Sequence, residues 1–447
     1  MSRARPDSVP GAGADPLPAP PLWEQVAAGF VIVMLTGALI GPVFAPDQGE
    51  TPILRLIWLP VYAVTLGLIL NRAGRMFAAW PAWLILGLLT LLALASRYWS
   101  IDPGVTDRRV IALFMTSAFA IYLGAAFTGA QLPRLLMHTG VVMAVGSLVM
   151  VLAFPSIGIH QFDNAGLWRG LWYEKNQMGI VMVASSIAAA AVLASPGQAG
   201  RSPWPALFTL MLCVFLTLAT QSKTSLLCLL LGLGVIGGLW AMRRGGPALS
   251  VVLVWGAITC AGVGLLVWQQ NSALILEALG KDPSLTGRTD IWESLMRRVA
   301  ERPWTGYGYS AFWGKESVPA HYVRLETGWL VPSAHNGWID LLVQMGWPGA
   351  IMVGLVMLIT LIALIVRLGG QGFREGGFSL AYLLVFAVLS ASESVLLSHA
   401  NLPWALFLAL TARALTPDPL PRRHRVTVPL ARRREGAYLT SPRIVSN

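Results

Sequence analysis

The chain has few charged residues. Lys, Arg, Asp and Glu together make up only 12% of its 447 residues, whereas about 25% is usual in soluble globular domains. A surface that faces water on all sides cannot be built from so few charges. The composition therefore excludes an ordinary soluble fold and indicates a protein surrounded by lipid.

Cysteine is scarce as well. The chain has three, Cys213, Cys228 and Cys260, and each lies inside an apolar block. A thiol in such surroundings behaves as a small hydrophobic group. We therefore predict no disulfide, no metal site and no cofactor from these residues.

Hydrophobic residues make up 55% of the chain and fall in long blocks. Blocks of about 20 residues match the thickness of a hydrocarbon core. The sequence thus predicts an all-α integral membrane protein with about 12 transmembrane helices. The predicted blocks are 26–44, 53–70, 77–96, 110–128, 135–154, 177–195, 204–220, 224–242, 249–269, 345–366, 378–396 and 402–415.

Short connectors that carry arginine set the predicted orientation. They begin near Arg72, Arg134, Arg201, Arg243 and Arg367. By the positive-inside rule they face the cytoplasm, and an even number of helices places both termini there as well. We therefore expect a multi-pass protein of a bacterial cytoplasmic (inner) membrane.

The net charge of +11 is concentrated at the carboxyl end. From Arg413 onward there are eight arginines and two acidic residues, which leaves +6 there and +5 for the rest of the chain. Such a tail suits the anionic inner leaflet of a lipid bilayer, and nothing pairs it with a fold that binds nucleic acid. We predict a disordered cytoplasmic leader at 1–25 and a basic cytoplasmic tail at 416–447.

The predicted domain organisation has one large loop on the periplasmic side. Helices 1 to 9 cover 26–269, the loop covers 270–336, and 337–415 holds a short periplasmic-edge helix and helices 10 to 12. The loop between helices 9 and 10 is rich in Trp, Tyr and helical pattern, so we expect it to be partly helical. Loops of this length usually carry function.

Arg288 lies at a predicted helix start within this loop. Asp290 fits the N-cap position with Glu293 as its capping-box partner, and the helix should end before Pro303. Arg288 would then stand beside free backbone N–H groups, a place that favours an anion. The alternative is an arginine that is merely solvated or ion-paired.

His335 lies just before a second predicted helix start. Asn336 fits an N-cap, and the short helix that follows should end at Gly346, ahead of Pro348. The positive end of a helix disfavours a charged imidazolium, so a neutral ring able to accept a proton is expected at His335. The alternative is a histidine that only makes a structural hydrogen bond.

Two further charges lie where a membrane should disfavour them. Lys223 occupies a tight outward turn and Glu393 lies inside the eleventh block. Charges at membrane depth usually face a bundle interior or a wet cavity, although Lys223 could instead reach to the interface. The first outer loop adds Arg169, Glu174 and Lys175 among aromatic residues, which could themselves belong to the interfacial belt.

Six short motifs occur in order along the chain. They are YWSIDP at 98–103, EKNQMG at 174–179, QSKT at 221–224, TGRTDIW at 286–292, HNGW at 335–338 and SES at 392–394. In this order they resemble those of the O-antigen ligase and exopolysaccharide polymerase superfamily, closest to its exopolysaccharide-production polymerase branch. The resemblance runs over about 85–415.

The resemblance implies a glycosyltransferase that works without a metal ion. Its partners would be a polyprenyl-diphosphate-linked glycan donor, a glycan or lipid-linked acceptor, and a flippase and chain-length regulator. By family likeness Arg288 and Lys223 hold the diphosphate, and His335 acts as base or orienter for the acceptor hydroxyl. The remaining substrate-binding candidates are Arg169, Glu174, Lys175, Asn336 and Glu393.

Two departures from the family pattern bear on these assignments. Many relatives carry His-Lys-Asn where this chain has Glu174-Lys175-Asn176, and ligases often carry Arg at the position of Lys223. A lysine is a point charge rather than a bidentate fork, so it would grip a phosphate less specifically.

Two other functions compete with chain polymerisation. The first is a ligase that moves a finished glycan onto lipid A core or protein. The second is a twelve-helix secondary transporter, since residues 71–75 (NRAGR) resemble a motif of major-facilitator carriers. Those carriers place their long loop inside, between helices six and seven, whereas the long loop predicted here is outside and off-centre.

Overall fold

The computed structural model describes residues 17–40, 52–162, 164–195, 202–278, 287–328 and 330–418. Within these ranges the regular structure is helical, and the only β feature is an isolated bridge between Ile159 and Trp168. The helices are α1 (Leu22–Leu35), α2 (Pro52–Asn71), α3 (Ala73–Ala78), α4 (Trp80–Ala95), α5 (Pro103–Ala126), α6 (Gln131–Ala153), α7 (Pro155–Gly158), α8 (Lys175–Ala194), α9 (Trp204–Ala219), α10 (Lys223–Ala278), α11 (Arg288–Glu301), α12 (Val318–Thr327), α13 (Gly337–Gln371), α14 (Phe373–Ser390) and α15 (Leu402–Leu415).

Many of these helices have the length and composition of membrane spans. Among the described residues, seven helices are long and apolar enough to cross a membrane, and four shorter apolar helices accompany them. In the described ranges the chain is therefore all-helical, and its apolar helices indicate a multi-pass membrane protein. The total of 12 spans stays a prediction.

Two boundaries differ from those predicted. Helix α1 begins at Leu22, inside the segment assigned to the leader, because Pro21 serves as its N-cap with an extended backbone. The predicted blocks 224–242 and 249–269 both lie in α10. Within this helix Gly246, directly before Pro247, has a φ of 72°.

Arginines from several connectors meet at one end of the bundle, which we call the arginine end. Arg72 binds both oxygens of the Glu24 carboxylate, at 2.8 and 2.7 Å. Arg413 donates to Glu375 at 2.8 Å and to Asp418 at 2.7 Å. These buried pairs tie α1, α14 and α15 to their neighbours. Residues 1–16 and 419–447, which include most of the predicted leader and tail, lie outside the described residues.

The opposite end carries the connecting segments and is called the loop end here. Helices α5 and α15 run between the two ends and pack closely: a Cβ on Gly124 would lie only 2.2 Å from the Ala409 carbonyl oxygen. At the loop end Thr106 of α5 donates to the Tyr309 carbonyl at 3.0 Å. The segments that make up the loop end are 96–102, 155–174, 220–222, 302–336 and 391–401.

A sharp kink divides α13 into a short segment at the loop end and a long apolar one. Gly346 has φ 64° and ψ −167°, and Pro348 follows it. Trp347 donates its backbone N–H to the Pro303 carbonyl at 2.8 Å, which ties the kink to the end of α11. The predicted end of the short helix at Gly346 is confirmed.

Candidate active site

Arg288 is the first residue of α11, and it reaches a loop far away in the sequence. Its Nη1 donates to the Ser392 carbonyl at 3.3 Å. The helix is anchored by buried Ile291, Leu295 and Val299. Its end at Glu301, before Pro303, also agrees with the prediction.

The predicted cap of α11 is wrong. Gly287, not Asp290, is the N-cap, and the helix starts three residues earlier than expected. The left-handed φ of 80° at Gly287 lets the chain turn into the helix there. Asp290 thus lies in the first turn, and Glu293 pairs with Arg297 at 2.7 Å instead of completing a capping box.

His335 lies at the start of α13, as predicted. The Asn336 side chain caps this helix by accepting from the backbone N–H groups of Trp338 at 3.0 Å and Ile339 at 3.2 Å. The His335 Nδ1 atom is buried and has no hydrogen-bond partner among the described residues. Burial, and then the positive charge of Arg288, lowers the pKa of His335 to about 4. The ring is therefore neutral at physiological pH.

Helix α11 and the segment before His335 are held together directly. The indole Nε1 of Trp292 donates to the Ala334 carbonyl at 2.9 Å. Arg288 and His335 are close enough for the cation to act on the imidazole. The structure therefore brings together the two residues predicted to be catalytic.

Glu393 joins the same region from the segment between α14 and α15. Its Oε1 accepts from the side-chain amide of Asn176 at 3.1 Å. A Cβ on Gly337 would lie 3.1 Å from the Glu393 carbonyl oxygen, so this segment also touches the start of α13. Asn176 was only part of a motif in the sequence, and the structure identifies it as the partner of Glu393.

Lys175 and Lys223 lie near one another at the starts of α8 and α10. Their ammonium groups are close enough to repel. Lys175 is adjacent to Asn176, whose side chain contacts Glu393. Cys228, five residues after Lys223 in α10, lies close enough to Glu393 for the carboxylate charge to act on it. The two lysines therefore border the region around Glu393.

Glu174 and Arg169 make contacts within their own segment. Glu174 is the N-cap of α8 and forms a capping box with Gln177. Its carboxylate lies 3.8 Å from His160 Nε2. Arg169 donates to the carbonyls of Ile157 at 2.8 Å and Tyr173 at 3.4 Å. These contacts shape the 155–174 segment, and a substrate role for either residue stays a prediction.

A partly buried polar cluster holds the segment that carries Glu393, and it was not predicted from the sequence. Arg109 of α5 lies 2.8 Å from His399 Nε2, and the Tyr309 hydroxyl donates to the Leu397 carbonyl at 2.9 Å. Burial, and then the charge of Arg109, lowers the pKa of His399 to about 3. The feature of the sequence that could have pointed to this cluster is a histidine in the apolar stretch before Asn401, the residue that caps α15.

Strained backbone is concentrated around the same region. Seven described residues other than glycine have a positive φ, a conformation that costs free energy and tends to cluster at functional sites. Six of them lie at the loop end in segments that carry or contact the candidate residues. These six are Asn164, Gln221, Ser310, His335, Leu397 and Ala400.

The arrangement combines fixed cations, a neutral imidazole and a carboxylate. Cations and helix N-termini favour a phosphate-like anion, and a neutral imidazole can accept a proton from a hydroxyl. In the part of the chain that the structure describes, His, Cys, Asp and Glu form no group of three suited to a metal ion.

Comparison with known proteins shows what this region is similar to. Residues 208–354 match the O-antigen ligase family. The chain is also 24% identical over 318 residues to the exopolysaccharide production protein ExoQ of Rhizobium meliloti (strain 1021), covering 69% of this chain and 72% of that protein. Both findings support the O-antigen ligase and ExoQ-like family and confirm the resemblance seen in the motifs. The matched stretch includes Lys223, Arg288 and His335.

Proposed function

Given this support for the O-antigen ligase and ExoQ-like family, we propose that the chain is a membrane glycosyltransferase of exopolysaccharide production. It polymerises polyprenyl-diphosphate-linked oligosaccharide repeat units into exopolysaccharide or O-antigen-type chains. The reaction takes place on the periplasmic face of the bacterial inner membrane. The observation that carries this proposal is the proximity of Arg288 and His335 at the loop end.

The donor already contains its leaving group. Breaking the bond between the anomeric carbon and the phosphate oxygen leaves additional negative charge on the lipid-linked diphosphate. Arg288, with Lys175 and Lys223 nearby, offers fixed positive charge to that diphosphate. Positive groups placed where charge develops are often the largest contribution to catalysis. Because side chains supply this charge, the proposed reaction needs no metal ion.

The acceptor hydroxyl must lose a proton as its oxygen bonds to the anomeric carbon. His335 is neutral near pH 7 because its pKa is about 4, so one ring nitrogen has a free lone pair. That nitrogen takes the proton, the glycosidic bond forms, and the lipid diphosphate leaves with the bonding electrons. Arg288 thus stabilises the charge on the leaving diphosphate, and His335 accepts the proton of the acceptor hydroxyl.

A single displacement of this kind inverts the anomeric centre. NMR of the new glycosidic linkage, compared with the lipid-linked donor, tests this step. An inverted configuration agrees with direct displacement. A retained configuration would refute it and would require a covalent intermediate or a second displacement.

The proposed pathway requires other proteins to supply the substrate. A flippase must present lipid-linked repeats at the periplasmic face, and a chain-length regulator would set the extent of elongation.

Asn336 and Glu393 are proposed to contact the substrate beside the reacting groups, and Arg169 and Glu174 to shape the entrance from the first outer loop.

A ligase is the second candidate, because residues 208–354 match a family described as O-antigen ligase. The two functions differ in what accumulates when the gene is deleted. Loss of a polymerase leaves single lipid-linked repeats, whereas loss of a ligase leaves long chains still attached to the carrier lipid. Mass spectrometry of the extracted lipid-linked saccharides separates them, and long chains would contradict polymerisation.

The transporter alternative is tested with purified protein in lipid vesicles. The vesicles are given lipid-linked repeats, and both the glycan product and the uptake of small solutes are measured. We expect longer glycans and no accumulation of small solutes. Uptake without glycan transfer would contradict an enzyme and favour the transporter alternative.

A further inference from the structure

The segment 391–401, between α14 and α15, contacts two parts of the candidate site. Near its start, the Ser392 carbonyl accepts from Arg288 Nη1 at 3.3 Å. The next residue, Glu393, accepts from the Asn176 side chain at 3.1 Å. A displacement of this 391–401 loop would therefore move the partners of both groups at once.

The other end of the 391–401 loop is fixed to two different parts of the protein. His399 Nε2 lies 2.8 Å from Arg109 Nη1 on α5, and the guanidinium is the donor. The fully buried Tyr309, from the segment after α11, donates to the Leu397 carbonyl at 2.9 Å. The Tyr309 contact is buried and the Arg109–His399 contact is partly buried, and hydrogen bonds shielded from water in this way are costly to lose.

Backbone strain shows that these contacts hold the loop in a specific conformation. Leu397 and Ala400 both have a φ of 48°, which side chains other than glycine rarely adopt. Such residues persist only where surrounding contacts enforce them. Tyr309 contacts the carbonyl of Leu397 itself, and Arg109 contacts His399, which lies between the two strained positions.

The neighbouring helix does not depend on these contacts for its anchorage. Asn401 caps α15 through the Trp404 backbone N–H at 3.0 Å. The Trp404 indole donates to the Ser117 hydroxyl at 3.1 Å, and Arg413 pairs with Glu375 at the arginine end. Loosening His399 should therefore release the loop while the bundle remains packed.

We propose that Arg109, Tyr309 and His399 are positioning residues for glycan transfer, which set the 391–401 loop so that Ser392 and Glu393 hold Arg288 and Asn176 in place. This inference rests on the proposed function and extends it to residues that do not touch substrate. Because small displacements of reacting groups lower rates strongly, the main effect falls on kcat. The KM for the lipid-linked donor should change little.

The test uses purified full-length protein in lipid nanodiscs with a polyprenyl-diphosphate-linked repeat as substrate. His399→Leu removes the acceptor for Arg109, and His399→Gln supplies an amide oxygen in its place. We expect His399→Leu to lower kcat on the order of 10- to 100-fold, and His399→Gln to restore most of the activity. His321→Leu, at an exposed histidine of α12, is the matched control and should behave as wild type.

Two further variants guard against simple misfolding. Tyr309→Phe removes only a hydroxyl, and we expect a loss of kcat of roughly 5-fold, the equivalent of one neutral hydrogen bond. Arg109→Leu combined with His399→Leu should be no worse than the more impaired single variant, because the two residues act as one unit.

The outcomes separate this inference from the proposed function. Normal kcat in His399→Leu, additive losses in the double variant, or no rescue by His399→Gln would each overturn the positioning role while leaving glycan transfer intact. A wild-type protein that transfers no glycan would overturn the proposed function and this inference together.

Discussion

Asn176 and Glu393 lie 217 positions apart in the chain, and their side chains are joined by a hydrogen bond of 3.1 Å. Asn176 belongs to the first turn of α8, and Glu393 to the 391–401 loop. The bond links the first outer loop, through Lys175 and Asn176, to the loop that holds Arg288. It therefore joins the start of α8 to the loop whose Ser392 carbonyl accepts from Arg288.

Changing Asn176 tests the importance of this link. A hydrogen bond to a charged group contributes about 1.5–3 kcal/mol, so Asn176→Ala should lower the transfer rate roughly 10-fold or more. Asn176→Asp should be worse, because two carboxylates would face each other. Initial rates of polymer formation in nanodiscs provide the measurement.

Asn164→Asp is the matched control for Asn176→Asp. Asn164 is exposed in the 155–174 segment that precedes α8, and aspartate tolerates its left-handed backbone. We expect wild-type rates from this variant. If Asn176→Asp also kept the full rate, the link between Asn176 and Glu393 would have no part in transfer.

The pH dependence of activity should report the state of His335. The neutral imidazole is the active form, and its pKa is about 4, below the ordinary value of about 6.5. Transfer should therefore stay level from pH 8 to about 5 and fall only as the pH approaches 4. An acid limb near 6.5 in kcat/KM would contradict a buried His335 beside a cation.

Arg288→Gln should move the acid limb of that profile. Removing the positive charge takes away one of the two causes that lower the pKa of His335, so the pKa rises and the ring takes up a proton at a higher pH. Burial remains, so the pKa should stay below its ordinary value. The residual activity of this variant should thus begin to fall at a higher pH than that of wild type; an unchanged limb would contradict the coupling.

Gly346 provides a test of the kink that separates the two parts of α13. A Cβ at this position would lie 2.6 Å from the Pro303 carbonyl oxygen, and the residue has a φ of 64°. Gly346→Ala should destabilise the fold by about 1–3 kcal/mol from backbone strain alone. Size-exclusion chromatography after detergent extraction should show a lower yield of monodisperse protein.

Gly354→Ala, in the same helix, serves as its control. The nearest atom to an added Cβ there is 3.8 Å away, in ordinary van der Waals contact. This variant should be extracted as well as wild type. Equal yields of the two variants would show that the kink does not require glycine.

The sequence predicted several local features of the site correctly. Asn336 caps α13, the short helix ends at Gly346, and α11 ends before Pro303. Each of these depends on signals within a few residues, such as a capping side chain or a helix-breaking proline. The start of α11 was placed wrongly because the left-handed conformation of Gly287 outweighed the capping preference of Asp290.

The contacts between distant segments could not be predicted in this way. The pair of Asn176 with Glu393 and the pair of Arg109 with His399 join residues 217 and 290 positions apart. Hydrophobic periodicity identifies helices and their buried faces, but it does not determine which loops meet at the end of a bundle. The motif resemblance identified Arg288 and His335, whereas the structure was needed to find what positions them.

The most direct measurement of the central claim compares His335→Ala and Arg288→Lys with wild type, using purified protein and lipid-linked repeats. His335→Ala should insert normally into the membrane and form no elongated glycan. Arg288→Lys should be severely impaired, because lysine keeps the charge but loses the planar fork, while Arg297→Lys on the exposed face of α11 should remain active. Normal polymer from both His335→Ala and Arg288→Lys would contradict the assignment of the site.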